Sequence, residues 1–116
     1  MSIAANIVIA VIALLHLWFL ILEMFLWTKP SGLRAFGTTA EFAAQSKALA
    51  ANQGLYNGFL VAGLVWGLVA DDTAVKVFFL VCVVVAGVYG AATVNKRILV
   101  VQAVPALLAL GALALS

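Results

Sequence analysis

Long runs of apolar residues, broken by short polar segments, make up most of this chain. A helix takes about 20 apolar residues to cross the hydrocarbon core of a bilayer, and four runs qualify or nearly do. They lie at residues 3–27, 49–69, 74–94 and 98–115. The runs are continuous rather than alternating, which favours membrane helices over membrane strands. The pattern therefore predicts an all-α polytopic membrane protein, a four-transmembrane-helix bundle formed as a single domain over residues 1–116.

The first loop, about residues 28–48, carries a helical signal of its own. Pro30 and Gly32 are expected to end the first span, because proline cannot continue a helix and glycine closes one. Thr38 and Glu41 match a capping box, with Thr38 as the N-cap and Glu41 at the third helical position. We expect this helix to run into the second span. Residues 41–49 should then project from the bilayer or lie along its surface as a separate turn.

The composition agrees with lipid as the main solvent. Hydrophobic residues make up 67% of the chain and charged residues 9%, with a mean hydropathy of +1.27, whereas a soluble domain carries about a quarter charged residues. The sparse basic residues form no dense stripe, so nucleic acid is not an expected partner. The single Cys82 excludes an internal disulfide and a thiolate metal cage. We expect no metal and no cofactor.

The basic residues predict an orientation, because lysine and arginine next to short loops stay in the cytoplasm. Five of the six belong to the first and third loops, and the sixth lies near the second loop. In chain order they are Lys29, Arg34, Lys47, Lys76, Lys96 and Arg97. Asp71 and Asp72 in the second loop are expected to form a solvated turn. The bias places both termini outside the cytoplasm. We expect the membrane to be the bacterial cytoplasmic (inner) membrane.

With this orientation, the strongly polar residues inside the spans gather in the cytoplasmic half, except for Asn6 and His16. Glu23 lies seven residues after the midplane His16, about 10 Å nearer the cytoplasm. Unsatisfied polar groups in lipid cost several kcal/mol, so these side chains are expected to face one another. Gln102 belongs to the same half. The candidate ligand- or proton-binding residues are His16, Glu23, Asn52, Gln53, Tyr56, Asn57, Tyr89 and Thr93.

Each of these features also has a structural interpretation. Glu23 lies close enough to the inner boundary to reach water or to pair with Lys29 or Lys47. A neutral His16 that hydrogen-bonds Tyr56 or Asn57 would be a structural tie, and asparagine and glutamine commonly join membrane helices. Small residues four apart let two helix backbones approach closely. The face of Gly54 and Gly58 is therefore expected to pack on a neighbouring helix or on a second subunit, which would make a homo-oligomer.

Several of these residues together resemble one protein family. They are His16, Glu23-Met24-Phe25, Trp27, Pro30-x-Gly32 and above all the run Asn52-Gln53-Gly54-Leu55-Tyr56-Asn57-Gly58-Phe59. The chain resembles, over its whole length, a family of small integral membrane proteins known as domain of unknown function 1304. The resemblance implies four membrane helices and no established activity.

Three classes of function remain open, and the sequence does not decide whether the protein is an enzyme. The first is binding or transport of a small ligand, lipophilic or cationic, or of a proton, at the polar site in the cytoplasmic half. The second is isomerase-like acid–base chemistry on a lipophilic substrate. In that case His16 and Glu23, about 10 Å apart, are too distant to touch one reacting atom without further partners. The third is a structural or partner-binding role.

Overall fold

A computed structural model describes residues 2–116, and Met1 lies outside the described part. These residues form helices joined by short turns and contain no strand, which confirms the all-α prediction. The helices are α1 (Ile3–Met24), α2 (Pro30–Phe36), α3 (Ala40–Ala70), α4 (Thr73–Thr93), a π-helical stretch (Leu99–Ala103) and α5 (Val104–Ala114).

Three of these helices, α1, α3 and α4, are long and apolar enough to cross a membrane. Helix α3 has 31 residues, so it is about 46 Å long, well beyond the roughly 30 Å of a hydrocarbon core. The second predicted span and the segment before it are therefore one continuous helix. Residues 41–49 form the first turns of α3 rather than a separate element.

The fourth predicted span corresponds to a shorter apolar helical segment, Leu99–Ala114. It begins as the π-helical stretch, and Pro105 follows two residues after that stretch ends. Proline has no N–H to donate to the carbonyl of Val101 and crowds that carbonyl, so the wider turn suits this position. A perpendicular crossing takes about 20 residues. The fourth crossing therefore stays a prediction.

The first loop differs from the prediction, because it contains the additional helix α2. Pro30 is the first residue of that helix, where its missing N–H costs nothing. Gly32 is buried, and a Cβ there would lie 1.9 Å from the carbonyl oxygen of Leu26. The glycine thus permits a close approach to the end of α1 and does not close a helix. The αL residue that ends α2 is Gly37, at φ 61°.

The N-cap of α3 is Thr39 rather than Thr38. The Thr39 Oγ1 accepts a hydrogen bond of 3.2 Å from the N–H of Phe42, three residues into the helix. Glu41 is therefore the second helical residue, one position too early to complete a capping box. Both threonines precede the helix, and the sequence pattern alone favoured the wrong one.

The chain forms two compact units, and each is described by itself. One contains the residues up to Leu14 together with Ala62–Ser116, and the other is Leu15–Val61. In the first unit, α3 and α4 approach closely at two glycines. A Cβ at Gly63 would lie 2.3 Å from the ring of Phe79, and one at Gly67 would lie 2.9 Å from Lys76 Cγ. These contacts bring the lysine stem against the backbone of α3.

Lys76 is buried, with 1% of its surface exposed, and it organises the α3–α4 turn. Its Nζ donates to Asp71 Oδ1 at 2.8 Å and to Asn6 Oδ1 at 2.9 Å. The prediction that Asp71 and Asp72 form a solvated turn is therefore only partly correct. Both residues are exposed, but Asp71 neutralises a buried ammonium, and Asp72 caps α4 by accepting from the N–H of Val75.

Substituting Asp71→Asn should destabilise the protein by about 2 kcal/mol, because the buried ammonium loses its counter-charge while the side chain keeps its shape. Asparagine tolerates the left-handed backbone at this position, where φ is 49°. The matched control is Asp72→Asn, which removes the same charge one residue away and keeps a good N-cap. The free energy of unfolding in mixed detergent micelles measures both. Equal losses for the two variants would contradict the assigned role of Asp71.

Candidate functional site

The second unit places the end of α1 against α3 at the glycine pair expected to mediate close packing. A Cβ at Gly54 would lie 2.6 Å from Met24 Cγ, 3.2 Å from Glu23 Cβ and 3.3 Å from the carbonyl oxygen of Leu20. One at Gly58 would lie 3.0 Å from Leu20 Cδ1. Of the two expected partners, the neighbouring helix of the same chain is the one observed. The homo-oligomer expected through this face stays a prediction.

This close approach brings Glu23 and Asn57 together. The Asn57 Nδ2 donates to Glu23 Oε1 at 2.5 Å. Asn57 is 6% exposed and Glu23 is half-buried, so the carboxyl group lies at the edge of the helix contact. The pair joins α1 to α3 through a carboxyl group and a neutral amide.

Glu23 forms no salt bridge with Lys29 or Lys47, contrary to the pairing that we considered from the sequence. Among residues 2–116, one lysine or arginine forms a salt bridge with a carboxylate, namely Lys76 with Asp71. The physical reason is placement, because Lys29 follows the turn after α1 and Lys47 lies in the first turns of α3, and both are exposed. The Glu23 carboxyl therefore has an amide partner, Asn57, and neither of these two lysines as a counter-charge.

His16 is completely buried in α1, two turns before Glu23. Its ring meets the ring of Phe19 edge to face, with centroids 5.3 Å apart. Asn57, one of the two residues expected to bond the imidazole, donates from Nδ2 to Glu23 Oε1. His16 and Glu23 thus lie in different surroundings, one enclosed and the other accessible.

The structure leaves the other predicted site residues exposed. Asn52 Nδ2 lies 3.4 Å from the hydroxyl of Tyr56 on the surface of α3, and the Thr93 hydroxyl donates to the carbonyl of Tyr89 on α4. These contacts are each within one helix. Among the candidates, Glu23 and Asn57 meet across two helices. The exposed candidates are Asn52, Gln53, Tyr56, Tyr89 and Thr93.

Trp27 forms a polar contact that the sequence did not reveal. Its Nε1 donates to Ser46 Oγ at 3.1 Å, and its ring packs on Phe36 with centroids 4.8 Å apart. The indole therefore joins the turn after α1 to α2 and to the beginning of α3. The sequence carries no signal of this contact, because nothing in the spacing links residue 27 to residue 46.

A shallow groove of about 460 Å³ runs along one face of α4. All of its lining side chains belong to that one helix, so the groove is a helix surface rather than a cavity between elements. They are Phe78, Val81, Cys82, Val85, Ala86 and Tyr89. Nor do three or more histidine, cysteine, aspartate or glutamate side chains of the described residues come together as a metal site. The Glu23–Asn57 pair remains the candidate site.

Comparison with known proteins yields one family and one curated relative. The family described as "Protein of unknown function (DUF1304)" matches residues 10–114. The relative is "Uncharacterized protein YpaA" of Lactococcus lactis subsp. lactis (strain IL1403), which is 29% identical over 114 residues. The match covers 95% of this chain and 96% of the relative. No solved structure matches this chain.

Substituting Gly54→Ala should destabilise the protein by about 1–3 kcal/mol, because the new methyl group overlaps Met24 and α3 must shift away from α1. The control is Gly111→Ala in α5, where a Cβ meets nothing within 4 Å. That variant should be neutral or slightly stabilised, since alanine favours a helix over glycine. Unfolding in mixed micelles measures both variants. A Gly54→Ala protein as stable as Gly111→Ala would contradict the close contact at Gly54.

Proposed function

This chain belongs to the DUF1304 family, and we propose that it is a membrane protein that binds or transports a small ligand or a proton at Glu23 and Asn57. The family description names no activity, so the support comes from the geometry of this pair. The observation that carries the proposal is a half-buried carboxyl group in α1, a helix long and apolar enough to cross a membrane, whose hydrogen-bond partner is a neutral amide.

The cost of that carboxyl group favours a functional role. A charged side chain in the middle of a membrane costs roughly 2.5 kcal/mol or more, and less toward the interface. Two amides would join α1 to α3 without this cost. Intramembrane ionisable residues generally mark ion, proton or substrate sites for this reason.

The surroundings of Glu23 favour a lipophilic or cationic ligand. A carboxylate accepts several hydrogen bonds, and the contact with Asn57 uses one of them on Oε1. A ligand with a cationic or hydrogen-bond-donating group would supply another. The neighbouring side chains of Leu20 and Met24 are apolar, so the rest of the ligand would be apolar as well.

A structural role is the second candidate, and one specific observation favours it. The Glu23–Asn57 hydrogen bond itself joins two helices, and such a bond between membrane helices contributes about 0.6 kcal/mol on average. The two candidates differ in what the charge does. A structural tie needs the hydrogen bond alone, whereas a binding site needs the carboxyl group.

We also propose the bacterial cytoplasmic membrane as the location, with both termini outside the cytoplasm. The support is the distribution of lysine and arginine, five of which lie at the first and third loops. The burial of Lys76 against Asp71 strengthens this bias, because the basic residue at the second loop carries its own counter-charge.

The Glu23→Gln protein should bind the lipophilic cation tetraphenylphosphonium at least about tenfold more weakly than the parent, because the attraction between the Glu23 carboxylate and the cation is lost. Glutamine keeps the acceptor for Asn57, so the folded structure should survive. Binding is measured by calorimetry in detergent micelles, and proton uptake is measured with vesicles that enclose a pH-sensitive dye. The matched control is Glu41→Gln, which removes an exposed carboxyl group from the start of α3.

If Glu23→Gln and Glu41→Gln both bind the cation and take up protons as the parent does, the binding and transport proposal is wrong. A structural tie would show itself differently. In that case Glu23→Gln would keep the parent stability, Asn57→Ala would lose stability, and neither cation binding nor proton uptake would depend on Glu23.

Orientation is tested by cysteine labelling of whole cells in a Cys82→Ser background. An Ala74→Cys thiol, exposed at the start of α4, should react with a membrane-impermeant maleimide in intact cells. A Gln45→Cys thiol, exposed near the start of α3, should react only after lysis. The opposite pattern, or equal labelling of both thiols in intact cells, would refute the proposed orientation.

A further inference from the structure

The segment that runs from the turn after α1 through α2 to the first turns of α3, residues 25–49, is basic. It carries Lys29, Arg34 and Lys47, all of them exposed, against the single acidic residue Glu41. We call this stretch the boundary segment. The net charge of this segment is positive, because Glu41 neutralises only one of its three basic charges.

None of the three basic side chains has a carboxylate partner within the described residues. Within residues 2–116, the salt bridge that a basic side chain forms joins Lys76 to Asp71, and both residues lie outside the boundary segment. Lys29, Arg34 and Lys47 are thus available to pair with anions from outside the chain. Ammonium and guanidinium groups pair best with carboxylates and phosphates.

The same segment exposes large apolar side chains. Phe25 is 65% exposed and Leu49 is 75% exposed, and Phe36 and Phe42 are also open. The segment continues directly from α1 and into α3, both long and apolar enough to cross a membrane. It must therefore lie where the bilayer meets water, and lipid is the solvent available to cover these side chains.

The boundary segment is held in place rather than loosely attached. Trp27 donates to Ser46 and packs on Phe36, which ties the end of α1, α2 and the first turns of α3 together. Gly32 lets α2 approach the carbonyl of Leu26. A surface fixed in this way loses less conformational entropy when it binds.

We propose that the boundary segment binds the headgroups of anionic phospholipids. Lys29, Arg34 and Lys47 would contact lipid phosphates while the exposed phenylalanines reach the upper part of the acyl chains. Basic residues beside a membrane strengthen attraction to anionic lipids by roughly fivefold each. The inference is independent of Glu23 and rests only on α1 and α3 crossing the membrane.

The test uses the full chain with Trp18→Phe and Trp66→Phe, which leaves Trp27 as the only tryptophan of the three. Both replaced side chains are exposed. The protein is reconstituted into phosphatidylcholine vesicles that contain equal fractions of either brominated phosphatidylglycerol or brominated phosphatidylcholine. Bromine quenches indole fluorescence on contact, so the ratio of the two quenching efficiencies reports which lipid lies beside Trp27.

The brominated phosphatidylglycerol should quench several-fold more effectively, and about 1 M salt should reduce that preference. Replacing Lys29, Arg34 and Lys47 together by glutamine should abolish it. Keeping the charge with Lys29→Arg, Arg34→Lys and Lys47→Arg should preserve it, as should the control Glu41→Gln. This pair of variants separates charge from packing.

Equal quenching by the two lipids in the parent would overturn the inference, as would a preference that survives the glutamine variant. Weak quenching by both lipids would also overturn it. That result would mean that protein, such as a second copy of the chain, covers the boundary segment instead of lipid.

Discussion

The cost of removing polar groups from water constrains this chain more than any detail of its apolar packing. Most of the sequence is valine, leucine, alanine and similar residues, and many different packings of such side chains would satisfy the hydrophobic effect. A buried ammonium or carboxyl group, in contrast, needs a partner in a particular place. In the described residues one ammonium group is buried and one carboxyl group is half-buried. Lys76 has Asp71 and Asn6, and Glu23 has Asn57.

Both polar pairs lie beside a glycine of α3. A Cβ at Gly67 would meet the stem of Lys76, and a Cβ at Gly54 would meet Glu23 and Met24. In each case the missing side chain lets a second helix approach close enough for a charged group to meet its partner. The two arrangements differ in their contents. Lys76 is buried and paired with a counter-charge, whereas Glu23 is half-buried and paired with an amide. This difference favours Glu23 and Asn57 as the proposed binding site.

A different constraint acts where the helices leave the membrane. The boundary segment exposes positive charge and phenylalanine together, a combination that neither water nor the hydrocarbon core accommodates alone. It is the headgroup layer that offers both an anion and an apolar phase. Trp27 holds this segment against both of its neighbouring helices.

The sequence by itself determined the helical class and the family, because long continuous apolar runs admit few alternatives in lipid. It predicted four membrane spans, and three of them correspond to helices long and apolar enough to cross a membrane. It also singled out the Asn52–Phe59 run and Glu23. The tertiary structure alone decided that Glu23 meets Asn57, that Lys76 is buried and that Trp27 meets Ser46. Residues 34 positions apart carry no local signal of their contact, since it depends on how two helices are rotated against each other. Tyr89 and Thr93 also have polar groups that could line a site. They remain at the surface, because the rotation of α4 does not turn them toward another helix.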